Sequence, residues 1–82
     1  MRMGLYTIFD RLAEQSGPVF EAANDAVANR QYKSLIDGAK VGQPQEYQLF
    51  KIGYLEHDTC ALEPVFPPSD VTITAQLSEV IK

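Results

Sequence analysis

Two residues with reactive side chains stand close together in "LEHDTCALEP": His57, the sole histidine, and Cys60, the sole cysteine. A cysteine nucleophile needs a base within hydrogen-bond reach. Three positions apart on a strand, the two side chains fall on opposite faces. The cysteine therefore reads as a small buried hydrophobe in a strand. Glu56 and Asp58 flank the histidine, an arrangement that suits a weak metal or acid–base site. It also suits the solvated tip of a hairpin, which is how the turn signal "EHDT" reads. "DGAKVGQP" lacks the GK[ST] ending of a phosphate-binding loop. One histidine in a turn gives no Ser-His-Asp set. These residues point to a protein that is not an enzyme and carries no metal or cofactor.

Binding chemistry is better represented. The chain has four tyrosines, four phenylalanines and no tryptophan. A single-strand binder combines aromatic platforms with cations on one surface. By strict alternation, Tyr47 and Lys51 share one strand face, and Phe50 and Tyr54 the other. Arg30 and Lys33 lie near Tyr32 in "NDAVANRQYKSL". Arg30, Lys33, Tyr47, Lys51 and Tyr54 are thus the candidate nucleic-acid contacts. The competing assignment puts the aromatics in the core, above all Phe9, Phe20 and Phe50. The formal net charge of −4 opposes strong non-specific nucleic-acid binding, which draws on counterion release by a basic surface.

The elements that must position these residues follow from pattern. "GLYTIFD" is a first strand, with Leu5, Thr7 and Phe9 on one face and Tyr6 and Ile8 on the other. "RLAEQSG" connects it, through a Ser-Gly turn, to a short strand "PVFEAA". Pro18 places that strand at an edge, and the two strands form an antiparallel hairpin. Asn24 or Asp25 caps a helix over about 25 to 37, stopped by Gly38. Val27, Ala28, Leu35 and Ile36 face the sheet with Tyr32 beside them, while Arg30 and Lys33 project outward. "AKVGQPQE" is a loop. "YQLFKIGYLE" and "CALEPV" form a second hairpin, each face mixing polar and apolar residues. Residues 64–70 read as a rigid proline-rich connection. The tail "VTITAQLSEVIK" is a strand or a short helix.

At 82 residues the chain is a single domain. So short a domain buries only about 60% of its unfolded surface, and dimerisation is a common remedy. A homodimer through a sheet edge or face is expected. No run approaches the roughly 20 apolar residues that span a bilayer, and "MRMGLYTIFD" lacks the h-region and cleavage site of a secretory signal. The sequence predicts an α+β fold: an antiparallel sheet of four or five strands in ββαββ order, with one helix on one face. The alternative is a partly open barrel of the oligonucleotide-binding type, which the helix placement after the second strand disfavours.

The order of these segments is also that of a known group. "LYTIFD", then "GPVFEAANDAVANRQYKS", then "PQEYQLFKIGYLEHDT" resembles the small nonstructural protein of gokushovirus-type microviruses, bacteriophages with small circular single-stranded DNA genomes. Tyr6, Ile8, Phe9 and Asp10 match its first element. Pro18, Phe20, Asn24, Asp25, Ala28 and Arg30 match the second, with Tyr32 in an aromatic slot. Pro44, Tyr47, Leu49, Phe50, Gly53 and Thr59 match the third. Val19 replaces an aromatic, and "QPQEY" stands for "PEDY". The resemblance covers about residues 3 to 60. It implies a protein made in the host cytoplasm, absent from the virion, and linked to genome replication or packaging. It brings no catalytic residues. The expected partner is single-stranded DNA; the alternative is a viral or host protein, such as the replication initiator or a capsid precursor.

Overall fold

A computed structural model describes residues 1–39 and 46–72. Strands β1 (Arg2–Asp10) and β2 (Gln15–Ala22) precede helix α1 (Asp25–Ala39), and strands β3 (Tyr47–Glu56) and β4 (Ala61–Asp70) follow it. The four strands form one antiparallel sheet in the order β2-β1-β3-β4. The ββαββ architecture is as the sequence predicts, with β1 and β3 central and α1 on one face.

The first hairpin closes differently from its expected Ser-Gly turn. Asp10 Oδ1 accepts the amides of Leu12 and Ala13 at 3.0 and 3.1 Å, and the Glu14 amide donates to the Asp10 carbonyl. An aspartate that captures the next amides makes a turn at once, and Glu14 completes it at a positive φ of 59°. Ser16 and Gly17 consequently lie inside β2. The β1–β2 register slips there, Thr7 facing Val19 but Phe9 facing Ser16. Pro18, which has no amide donor, sits in this irregularity on an edge strand, where its loss is tolerated.

The proline-rich stretch is the larger departure. Residues 64–70 belong to β4 rather than to a connection. Gly53 faces Pro64 and Lys51 faces Ser69, so the four residues between them have only Ile52 opposite. The edge strand leaves the ladder where its prolines cannot donate and rejoins it at Ser69. Beyond it, the Val71 amide donates to the Leu49 carbonyl, and Leu49 donates to Thr72 Oγ1. The rest of the tail, where a strand or a helix is expected, lies outside the described residues.

Alternation along β1 directs Tyr6 and Ile8 toward α1 and Leu5, Thr7 and Phe9 away from it. The core lies between helix and sheet and is made of Tyr6, Ala22, Ala28, Tyr32 and Leu49, with Ile8, Phe20, Val27, Ile36, Tyr47 and Val71 packed around it. Asn24 is the helix cap: its Oδ1 accepts the Val27 amide at 2.9 Å. The helix runs through Gly38 to Ala39, one turn-fraction past its expected stop. Its buried stripe passes through Ala28, Asn29, Tyr32 and Ile36. Leu35 falls on the shoulder of that stripe and is 54% exposed, not turned to the sheet. Asn29 takes a central place because its amide donates to the carbonyls of Asp25 and Val71, both at 2.9 Å. A buried polar group is tolerated when it is so satisfied.

Two further expectations give way. Cys60 is exposed, not buried in a strand. It holds φ 62° in the turn that closes β3 onto β4, its amide donating to the Glu56 carbonyl. Phe9 and Phe50 are half-buried on the sheet face opposite the helix, outside the main core, in edge-to-face contact.

Candidate nucleic-acid interface

The site is organised by a bulge in β3. Leu5 faces Gly53 and Tyr6 faces Lys51, so β3 carries one extra residue, Ile52. A bulge of this kind flips the alternation beyond it. Lys51 and Tyr54, three positions apart, therefore lie on the same helix-bearing face instead of opposite faces. Gly53 permits the bend because β4 passes tightly: a Cβ there would stand 2.9 Å from the Glu63 carbonyl oxygen.

On β1, alternation adds Arg2, Gly4 and Tyr6 to that face. Gly4 gives the Tyr6 ring its place, since a Cβ would sit 2.7 Å from the ring and its hydroxyl. The ring lies back over Gly4 and its hydroxyl donates to Asp25 Oδ1 at 2.7 Å. Lys51 Nζ reaches the same carboxylate oxygen at 2.8 Å and the Tyr54 hydroxyl at 3.2 Å. The Arg2 guanidinium lies over the Tyr54 ring, 3.9 Å from its centroid, and bonds Glu63 at 3.0 Å. The Tyr54 ring thus has two cations near it, Arg2 at 3.9 Å and Lys51 at 5.1 Å from its centroid, at the rim of an open groove of about 540 Å³ that also includes Gly4, Tyr6, Asn24 and Asp25.

Electrostatics follow from this packing. Burial pushes the Asp25 carboxyl up, but the Lys51 ammonium and the Tyr6 hydroxyl together outweigh it and hold the group below the usual range. The hydrogen bond to Asp25 raises Lys51, against a smaller opposing effect of burial. Burial, then the bond to Asp25, pushes the Tyr6 phenol well above its ordinary value. A lysine kept protonated is a poor nucleophile and a good hydrogen-bond donor. The arrangement is equipped to hold a polar or π-faced ligand.

The five candidate contacts are not all gathered there. Lys51 and Tyr54 meet in the groove. Tyr47, at the far end of β3, packs against the core, and its carbonyl accepts the Tyr32 hydroxyl at 3.1 Å. Arg30 and Lys33 are exposed on the helix as expected, with Lys33 paired to Asp37 at 3.2 Å. Sequence reading missed Arg2, Tyr6 and Asp25. Arg2, Gly4 and Tyr6 are spaced to share one strand face, and that was the available signal. At the hairpin tip, Glu56 and Asp58 both accept from the N-terminal ammonium, and His57 Nε2 lies 2.8 Å from Glu21 Oε1. Among the described residues no cluster of His, Cys, Asp or Glu fits a metal ion, and no helix is long and apolar enough to cross a membrane.

A four-stranded antiparallel sheet with one helix on one face defines a small α+β domain. Residues 3–80 match the family model described as "Phage ORF5 protein", and the chain belongs to that bacteriophage family. Comparison with curated proteins and with solved structures gives no match.

Proposed function

We propose that this phage protein is a non-enzymatic, nonstructural accessory of viral genome replication or packaging. It acts in the host cytoplasm, in a microvirus of the gokushovirus type, by binding single-stranded DNA on its helix-bearing side. The observation that carries the reading is the Tyr54 ring, with Arg2 and Lys51 near it, at the rim of an open groove. A base that takes the place of the Arg2 guanidinium over this ring stacks in a sequence-tolerant way, worth about 1–3 kcal/mol. Arg30 on the helix extends the cationic side. The test is a titration with labelled single-stranded DNA across a salt series. Binding that weakens with salt, and weakens further in Tyr54→Ala, supports the reading. No affinity at low salt sinks it.

A second reading is a protein–protein adaptor, contacting the replication initiator, a host factor or capsid precursors. It is favoured by charge pairing: Arg2 with Glu63, Lys33 with Asp37 and Lys51 with Asp25, on a chain of net charge −4. Cations already neutralised release few counterions from DNA. Intact protein that ignores DNA but binds one of these proteins would establish this alternative.

A further inference from the structure

We infer that the sheet face opposite the helix is covered by a second copy of this chain, packed sheet to sheet. That face carries an open apolar depression of about 470 Å³ lined by Thr7, Phe9, Val19, Phe50, Ile52 and Pro68, with Ser16 at its border. Val19 is 56% exposed there. The Phe9 and Phe50 rings meet edge to face, centroids 6.1 Å apart, on the side of the sheet away from α1. Among the described residues, one face of the sheet therefore has its cover and the other does not.

Three observations select the occupant. The first is charge. No ionisable side chain lines the depression, so it offers nothing to a phosphate backbone. Two copies meeting there bring no like charges together at the centre; Glu21, opposite Leu5, and Asp70, opposite Phe50, share the face on its two edge strands, where Glu21 meets His57 and Asp70 meets Gln48. The second is the course of the chain. Val71 packs on the helix-side core and its carbonyl accepts from Asn29. The last described residues thus stand on the opposite side of the sheet from the open face. The third is area. Four strands of about nine residues, spaced about 4.8 Å with a rise of about 3.3 Å, give a footprint on the order of 550 Å² per copy. With side-chain relief, two such faces approach the roughly 1,200 Å² total at which specific interfaces begin. Two sheets in contact pack about 10 Å apart with interdigitated inner side chains. The need is equally plain, because the buried core among the described residues is five side chains, two of them alanine.

Sedimentation of the full-length protein over a wide concentration range tests this, alongside Val19→Glu and, as a control on the helix, Leu35→Glu. The expected result is a monomer–dimer equilibrium in the wild type and a melting temperature that rises with protein concentration. Val19→Glu, which puts an unpaired carboxylate at the interface of both copies, should weaken dimerisation by at least about tenfold. Leu35→Glu should leave it unchanged. A wild-type melting temperature that does not depend on concentration overturns the inference even if Val19→Glu fails to fold. A wild type that stays monomeric at high micromolar concentration overturns the inference. So does a dimer that Val19→Glu, folded, leaves intact. Loss of DNA binding in a Val19→Glu protein that was monomeric before substitution would assign the face to nucleic acid instead.

Discussion

The Tyr6 hydroxyl donates to Asp25 Oδ1 at 2.7 Å, joining the middle of the first strand to the first residue of the helix. Lys51 bonds the same oxygen from β3, so a single carboxylate fixes the helix start over both central strands. Asp25→Ala leaves the Lys51 ammonium, only 16% exposed, and the Tyr6 hydroxyl without their acceptor. It should lower stability by roughly 1–3 kcal/mol, the usual penalty for stranding buried donors. Asp25→Asn keeps an oxygen acceptor and should lose less. Urea denaturation of the two variants checks the order; equal stability to wild type would mean the carboxylate is only a surface group.

Asn24 has a different task from its neighbour. It caps the helix through the Val27 amide, and Asn24→Ala should cost about 1 kcal/mol. Because Asn24 touches neither Lys51 nor Tyr6 through a hydrogen bond, that loss should add to the loss from Asp25→Asn. Strong non-additivity in the double variant would show that cap and anchor act as one unit.

The pH dependence of the anchor has a definite sign. The Asp25 carboxyl is held below its ordinary 3.8. Its contribution is present above 3.8 and disappears as pH falls through the lower folded value. Lys51 and Tyr6 are raised above 10.5 and 10.0. Their contributions are complete below those values and disappear as pH rises through the folded ones. The stability difference between wild type and Asp25→Asn should therefore be flat from about pH 4 to pH 10. It should shrink at both ends. A difference that changes steadily across neutrality would mean that the anchor is not what sets the pH dependence.

Legibility in the sequence divides along a physical line. Strand and helix periodicities are local, so the ββαββ order, the Tyr6/Ile8 face and the outward Arg30 and Lys33 were readable. What failed depends on pairing between distant segments. The bulge at Ile52 moved Tyr54 to the face of Lys51, and nothing within β3 announces it. The prolines of residues 64–70 argued for a connection, because an edge strand can leave and rejoin its neighbour only when that neighbour is known. Cys60 was assigned to a strand, and a left-handed turn residue that is neither glycine nor asparagine gives little local signal. Asn29 hid inside a helical stripe, since its partner, the Val71 carbonyl, is 42 positions away.

The proposed DNA site can be dissected by side chain. Arg2→Ala with Tyr54→Ala removes the stacked pair in the groove, while Arg30→Ala with Lys33→Ala removes the outward helix cations. Under the proposed function the first pair should weaken binding mainly through lost stacking, with a small change in salt slope, because Arg2 is already paired with Glu63. The second should flatten the salt dependence mainly through Arg30, since Lys33 is paired with Asp37, and should act similarly on all sequences. A helix variant with unaltered affinity and salt slope would confine the site to the groove.

Gly53 and Gly17 make a matched pair for testing the bulge. A Cβ on Gly53 would lie 2.9 Å from the Glu63 carbonyl oxygen, which is backbone and cannot swing aside. A Cβ on Gly17 would meet only the Ile8 carbonyl oxygen, at an ordinary 3.6 Å. Gly53→Ala should therefore push β4 away from β3 and destabilise by roughly 1–3 kcal/mol, as overpacking does. Gly17→Ala should be neutral or stabilising by about 0.4–1 kcal/mol, because alanine restricts the unfolded chain more than glycine does. The Gly53 variant carries a further consequence. Moving β4 shifts Glu63, the partner of Arg2, and so loosens the guanidinium over Tyr54. Under the proposed function, DNA affinity should fall in Gly53→Ala even under conditions where it remains fully folded by circular dichroism, whereas Gly17→Ala should bind as wild type. Equal stability of the two variants would mean that β4 has room to yield at Gly53 and that the bulge is not held by it.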